Sequence, residues 1–198
     1  MAVLCHTEYS AQKKAQLANG LLSLMMQSSY QDISVTDICR EVNIPRRTFY
    51  HYYENKEDVL ETVIESMMQP CFLEGLLDLR LGEVYIEQSL VRMFRFWDED
   101  NRKKLDALIR NGLESRLITW SNKWIQQEQL TSLQRSQADP KLVEIGLMVG
   151  ITDFFSLLFY WSRGGYQESP EQMAKYAVWV LPHAFYQSNE AAQDRQKR

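Results

Sequence analysis

The chain has 198 residues, 45% of them hydrophobic and 24% charged, so it is long enough to bury a core as one large or two small domains. No apolar run approaches the roughly 20 residues of a membrane span, and the N-terminus lacks the pattern of a secretory signal. Three widely spaced cysteines favour reduced thiols over a disulfide framework. These totals predict a soluble, cytoplasmic, globular protein.

The net charge of −4 argues at first against a nucleic-acid partner, but the charge is unevenly distributed. Residues 1–56 balance at +1, whereas the rest of the chain balances at −5. A small local basic face is enough to meet phosphate groups. A DNA-binding role for the N-terminal third therefore stays open.

The sequence pattern is helical nearly throughout. Eight glycines, five prolines and no sustained two-residue alternation predict an all-α fold. A first helix over about 8–28 carries apolar residues at helical spacing. Ser34 then suits a helix N-cap, and Asp37 stands where a capping-box acid would sit. The short helix that follows is predicted to run through Val42.

A turn and a second short helix come next. Asn43 suits the turn because it adopts a positive φ at low cost, and Pro45 suits the start of a helix that reaches about Tyr53. Two short helices joined by a tight turn are the helix-turn-helix pattern. A fourth helix, capped by Asn55, is predicted to stop near Pro70. Longer helices are predicted at about 72–79, 84–99, 101–111, 113–133, 140–163 and 170–188.

The stretch IPRRTFYHYYENKEDVL, residues 44–60, is dense in basic and aromatic side chains. On a helix, Phe49 and Tyr53 share one face, which we expect to pack inward. Arg47 and His51 lie opposite, with Tyr50 beside them and almost no acid. Such side chains donate to phosphates or to base edges in a major groove. The alternative is a plain solvated face, which would normally mix in Glu or Asp.

The longer stretch SVTDICREVNIPRRTFYHYYENKEDVL resembles the DNA-binding signature of the TetR family of bacterial transcriptional repressors. The similarity covers roughly residues 10–60 and rests on the runs 48–53 (TFYHYY) and 55–57 (NKE). Asn43 stands where the family usually has Gly, and Pro45 where it has Ser or Thr. The resemblance implies that Arg46 and Arg47 read bases and that His51 contacts either a base or a phosphate. It implies phosphate contacts for the following residues: Ser34, Thr36, Thr48, Tyr50, Tyr52 and Lys56.

The resemblance also implies two domains. Residues 1–54 would form a three-helix DNA-binding domain, and residues 55–198 a larger helical bundle for dimerisation and ligand binding. The predicted helix 140–163 is apolar nearly all round, which supports a homodimer but also fits the core of a monomer. The dimer interface is predicted to contain the following residues: Ile145, Gly146, Val149, Gly150, Met173, Ala177, Val180, Leu181 and Ala184.

The larger domain is rich in aromatic and flexible apolar side chains. Such residues line ligand cavities, and they also fill ordinary cores. The family resemblance implies a pocket for a small effector, here apolar or aromatic and of unknown identity, that acts through the helix at about 55–69. The residues predicted to line it are Met93, Phe94, Trp97, Trp120, Trp124, Phe154, Phe155 and Tyr160.

The predicted function is a transcriptional regulator, most simply a repressor released from a palindromic operator by its effector. The alternatives are a helical adaptor or an enzyme without a DNA target. His6, His51 and His183 are scattered, and no His or Cys pair has metal-ligand spacing. The sequence therefore predicts neither a cofactor nor a metal ion, and no enzymatic activity.

Overall fold

The computed structural model describes residues 2–76, 83–133 and 140–180, and within them the chain forms α-helices and no strand. This confirms the predicted all-α fold. None of the described helices has the length and apolar character needed to cross a membrane. The helices, in chain order, are α1 (Ala2–Met25), α2 (Val35–Glu41), α3 (Arg46–Tyr52), α4 (Lys56–Leu76), α5 (Glu83–Phe96), α6 (Glu99–Arg110), α7 (Glu114–Leu133), α8 (Pro140–Arg163) and α9 (Pro170–Val180).

The chain divides into two compact units. Unit 1 comprises Met1–Met68 with Asp100–Glu114, and unit 2 comprises Gln69–Glu99 with Ser115–Arg198. Unit 1 therefore includes the first part of α4 and nearly all of α6 besides α1, α2 and α3. This structural division does not coincide with residue 54, and the functional division into 1–54 and 55–198 stays a prediction.

The core of unit 1 forms where α1, α2 and α3 pack on one another in pairs. The stripe of α1 supplies Leu17 and Leu21, both fully buried, and α2 and α3 contribute Ile38 and Phe49. At Gly20, α1 approaches the end of α2 so closely that an added Cβ would collide with Cγ1 of Val42. A residue without a side chain is therefore required at this crossing.

The predicted break near Pro70 is wrong, because α4 continues through the proline to Leu76. A proline inside a helix costs about 3 kcal/mol, since it removes one hydrogen bond and crowds the preceding turn. The side chains on either side, Met67, Met68, Cys71 and Phe72, are all buried. Each such burial contributes about 1.5–3 kcal/mol, so together they outweigh the proline.

The remaining helix boundaries agree more closely with prediction. The first helix begins at Ala2 rather than near residue 8, and those predicted at 84–99, 101–111, 113–133 and 140–163 are confirmed with ends shifted by at most three residues. Residues 77–79 and 181–188 of the other predicted helices lie outside the described residues. Ser169 caps α9 by accepting a hydrogen bond from the Gln172 backbone N–H at 3.2 Å.

Unit 2 is built around a group of buried aromatic rings. Helix α9 packs on α5 and α8. Phe94 of α5 lies 5.2 Å from Phe154 and 5.6 Å from Trp161 between ring centroids. At the surface of the same unit, Arg95 forms a 2.6 Å ion pair with Glu171, which links α5 to the start of α9.

We predict that Gly20→Ala lowers the free energy of unfolding by roughly 0.5–2 kcal/mol. Overpacking costs about 1–3 kcal/mol, which exceeds the roughly 0.5–1 kcal/mol that alanine gains over glycine in a helix. Thermal unfolding followed by circular dichroism measures the effect. Asn19→Ala, at the neighbouring exposed position of α1, is the control and should not destabilise the protein; equal stability of both variants would contradict the close crossing.

Candidate nucleic-acid interface

Helix α2 begins with the predicted capping box. The Ser34 hydroxyl donates to Asp37 Oδ2 at 2.5 Å and accepts from the Asp37 backbone N–H at 3.2 Å. The Ser34 backbone N–H donates to the same carboxylate at 3.0 Å. These hydrogen bonds with Ser34 lower the pKa of Asp37 below its ordinary 3.8. The Ser34 hydroxyl is thus engaged in the cap, whereas Thr36 in the first turn is exposed.

The turn between α2 and α3 is set by two residues. Asn43 has a φ of 53°, as predicted, and its backbone N–H donates to the Arg40 carbonyl. Pro45 is the N-cap of α3, one position before its predicted place in the first turn, and its ψ of 142° turns the chain into the helix. The direction of α3 therefore follows from local backbone chemistry.

Two aromatic side chains anchor α3 and its end. Phe49 is fully buried and Tyr53 nearly so. The Tyr53 hydroxyl donates to Thr62 Oγ1 at 3.0 Å and lies 3.3 Å from the Lys14 carbonyl. Burial raises the pKa of Tyr53. The polar end of this tyrosine is satisfied, so both anchors hold one face of α3 against unit 1.

The opposite face of α3 is open to solvent. Arg46, Arg47, Tyr50 and His51 are exposed, and α3 contains no acidic residue. Thr48 and Tyr52 flank them and are half-buried, and the Tyr52 ring meets the His51 ring edge-on at 4.9 Å. The structure thus brings together on one short helix six of the nine predicted DNA-contacting residues.

Of the two arginines on this face, Arg46 has a hydrogen-bond partner among the described residues. Its Nη2 donates to the Tyr50 hydroxyl at 3.3 Å, and its Cζ lies 5.9 Å from the centre of that ring. The hydrogen bond from Arg46 to Tyr50 raises the pKa of the guanidinium. Arg47 makes no hydrogen bond or ion pair with any described residue.

Lys56 is placed differently from its predicted role as a phosphate contact. Its ammonium donates to the carbonyls of Tyr30 and Ile33, each at 2.8 Å, and of Gln31 at 3.2 Å. It also lies 4.5 Å over the Tyr30 ring. Three acceptors use the three protons of an ammonium, so Lys56 shapes the loop between α1 and α2.

The same loop is held from α6, through a residue that sequence reasoning missed. Asn111 accepts a hydrogen bond from the Tyr30 backbone N–H and donates to the Ala107 carbonyl at 2.7 Å. The oxygen and the nitrogen of the Asn111 side-chain amide therefore both form hydrogen bonds. Nothing in the sequence near Asn111 indicates a partner 81 positions away, and only the three-dimensional structure brings the two residues together.

Comparison with known proteins agrees with this geometry. The profile of the family described as "Bacterial regulatory proteins, tetR family" matches residues 19–63, which run from α1 through the short helices into α4. Residues 19–63 of this chain are therefore similar to the TetR family. Members of that family are transcriptional regulators and not enzymes, which favours a regulator over the enzyme alternative.

Individual TetR-family relatives extend the comparison. The HTH-type dhaKLM operon transcriptional activator DhaS of Lactococcus lactis is 30% identical over 109 residues, which are 54% of this chain and 55% of DhaS. The fold is similar to that of a TetR transcriptional regulator from Streptococcus agalactiae, with a TM-score of 0.61, 20% identity and coverage of 90% of this chain and 98% of that one. The solved structure of dihydroxyacetone kinase operon activator DhaS has a TM-score of 0.54, 19% identity and coverage of 85% and 93%.

The residues predicted to line an effector pocket all lie in unit 2. Met93, Phe94, Trp97, Phe154 and Phe155 are buried, and Trp120 and Trp124 are half-buried. The exception is Tyr160, which is 61% exposed and so is removed from the predicted pocket. Its position on the outer side of α8 follows from the helical period, which places Leu158 and Trp161 inward.

Several of these rings are in direct contact with one another. Trp124 lies parallel to Phe72 at 5.6 Å and to Trp120 at 6.3 Å between centroids. Phe72 in turn meets Phe155 edge-on at 6.4 Å. We call Phe72, Trp120, Trp124 and Phe155 the tryptophan stack. Phe72 is the member of the stack that the sequence analysis did not include in the pocket.

The predicted dimer residues differ in their exposure. Ile145, Val149 and Val180 are exposed, as an interface requires, and Gly146 and Gly150 are half-buried. Met173 and Ala177 are buried within the protomer, because α9 packs on α5 and α8, and this corrects their assignment. Leu181 and Ala184 lie outside the described residues. Exposed apolar residues that were not predicted complete the outer face of α8 and α9: Met148, Tyr160, Tyr176 and Trp179.

Proposed function

We propose that this protein binds double-stranded operator DNA through α3 and regulates transcription as a homodimer. The observation that carries the proposal is the polarity of α3, which buries Phe49 and presents Arg46, Arg47 and His51 outward without an acid. Arginine pairs with guanine O6 and N7 more often than any other side chain pairs with a base. Because bacterial DNA lies in the cytoplasm, the proposal places the protein there.

The polar residues around this face take the supporting role in the proposal. Thr48, Tyr50 and Tyr52 offer hydroxyl donors to phosphates, which fix the register of a helix on DNA. Thr36 is exposed at the start of α2 and offers another. Ser34 and Lys56 act indirectly, since their polar groups already hold the cap and the loop. The proposed DNA-binding domain remains residues 1–54.

We predict that Arg47→Ala weakens binding to the operator by about 5- to 150-fold for each half-site, because a lost bidentate base contact costs about 1–3 kcal/mol. Gel shift with DNA flanking the gene, compared with random duplex of equal length, measures the loss. Lys123→Ala is the matched control, since it removes the same charge from an exposed position on α7. Equal affinities of wild type and Arg47→Ala for both duplexes would remove Arg47 from the interface.

The homodimer is proposed to form through the outer face of α8 and α9. Ile145, Val149 and Tyr160 lie along one side of α8, and Trp179 and Val180 lie on α9. Trp179 is 91% exposed in the single chain, which is unusual for the largest apolar side chain. Several large exposed apolar side chains on two packed helices favour an interaction site there. A two-fold dimer would read a near-palindrome with half-sites about 34–36 Å apart.

We predict that Trp179→Glu converts the dimer to monomers at micromolar concentration, because a charge would be buried at the centre of an apolar contact. The fold of the protomer should be retained, since the side chain is exposed in the single chain. Sedimentation velocity measures the assembly. Thr119→Glu introduces the same charge at an exposed position on α7 and should leave the dimer intact. A wild type that sediments as a monomer would refute this interface.

The effector is proposed to be a small, largely apolar or aromatic molecule that binds at the tryptophan stack. Because the rings contact one another, a ligand would have to part them and replace their mutual contacts. Helix α4 contains Phe72 and begins at Lys56, shortly after α3 ends at Tyr52, so the chain runs from α3 to the stack through this helix. A ligand that prefers the non-binding arrangement would release the operator.

We predict reciprocal weakening of ligand and operator binding. Aromatic compounds that quench tryptophan fluorescence would identify a ligand, which is then titrated against the protein alone and against the protein saturated with operator duplex. Thermodynamic linkage requires that DNA weaken the ligand by the same factor by which the ligand weakens DNA. Equal ligand affinity in both titrations would show that the stack is not coupled to DNA.

The sign of control has two candidates. Repression follows simply from a protein that occupies a promoter and blocks polymerase, and we propose it first. Activation is the second candidate, because the similar protein DhaS is named as an activator. A reporter fused to the bound promoter separates them, since deletion of the gene raises expression for a repressor and lowers it for an activator.

A further inference from the structure

Arg46 and Arg47 are neighbours in sequence, yet the structure restrains only one of them. Arg46 lies one helical turn before Tyr50, and its Nη2 donates to the tyrosine hydroxyl at 3.3 Å. Arg47 extends from α3 without a hydrogen bond or ion pair to the described residues. The two arginines therefore meet DNA in different states of order.

The restraint on Arg46 leads back to the core of unit 1. The Tyr50 ring meets the Phe49 ring edge-on, with centroids 5.3 Å apart and planes at 80°. Because Phe49 is fully buried, its ring restrains the position of the adjacent Tyr50 ring. Long side chains on a helix lean toward its N-terminus, which carries the Tyr50 hydroxyl back over the turn where Arg46 begins.

We propose that Tyr50 is a positioning residue that holds the Arg46 guanidinium for reading one base pair in each half-site. This inference rests on the proposed DNA-binding function. A free arginine loses rotamer freedom when it binds a base, and part of that loss has already occurred at Arg46. One of its five N–H groups is given to Tyr50, and the other four remain for guanine O6 and N7.

The Tyr50 hydroxyl can serve two partners at once. It accepts the hydrogen bond from Arg46 and keeps its own proton, which it can donate to a phosphate oxygen. The same residue would then link a phosphate to a base through Arg46. No carboxylate in the described part of the chain forms an ion pair with Arg46 that would compete with DNA. Tyr50 thereby ties the choice of base to the register of α3.

Selection from a duplex library with a randomised stretch two helical turns long tests the inference. The selection compares three forms of the full chain, namely wild type, Tyr50→Phe and Tyr9→Phe. The phenylalanine keeps the ring and its contact with Phe49 but loses the hydroxyl. We expect Tyr50→Phe to lose about 2- to 10-fold of its preference at one base pair per half-site, the cost of one unordered side chain. Tyr9 is an exposed tyrosine of α1 beneath Lys13, and its variant should keep the wild-type preference.

A second background separates positioning from simple phosphate contact. When Arg46 is already replaced by alanine, Tyr50→Phe should cause no further change in base preference, although overall affinity can still fall. A uniform loss of affinity across all sequences, with the preference unchanged, would overturn the inference and leave DNA binding intact. A wild type that selects no sequence would overturn the proposed function as well. Unchanged thermal unfolding of Tyr50→Phe establishes that the fold is retained.

Discussion

A helix of seven residues is not stable by itself in water, because the first turn costs more than so few hydrogen bonds return. The geometry of α3 therefore depends on what holds it in place. Burial of Phe49 fixes the rotation of α3 about its axis. The hydrogen bond from the Tyr53 hydroxyl to Thr62 fixes the C-terminal end of α3, and Pro45 fixes its start. Gly20 permits the close crossing that lets the end of α2 reach α1. The outward direction of the two arginines is a consequence of these contacts.

The outer side of α3 is basic, although the net charge of the whole chain is negative. Two acids of unit 1 are occupied locally: Asp37 holds the cap of α2 and pairs with Arg40 at 3.1 Å, and Glu41 accepts a hydrogen bond from Ser23 at 2.8 Å. The outer side of α3 is left with cations and hydroxyls.

Local chemistry made part of this structure predictable from the sequence. The capping box at Ser34, the positive φ of Asn43 and the inward face of α3 each depend on residues close together in the chain. The predictions are wrong where residues distant in the sequence determine the local structure. Pro70 remains helical because buried neighbours compensate, and Lys56 turns inward because three carbonyls converge on it. Helical period alone also cannot say which apolar stripe of α9 packs within the protomer, so Met173 was assigned to the wrong surface.

The hydrogen bond from the Tyr30 backbone N–H to the Asn111 side chain has a consequence for folding during synthesis. Unit 1 is discontinuous, since α6 enters it only after some thirty residues of unit 2 have been synthesised. A ribosome must therefore translate well beyond Met68 before the loop after α1 receives its last partner. Contacts of such long sequence separation form late and slow the folding of small domains. The proposed DNA-binding helices therefore receive this partner from a later part of the chain, and a nascent chain that ends before α6 lacks it.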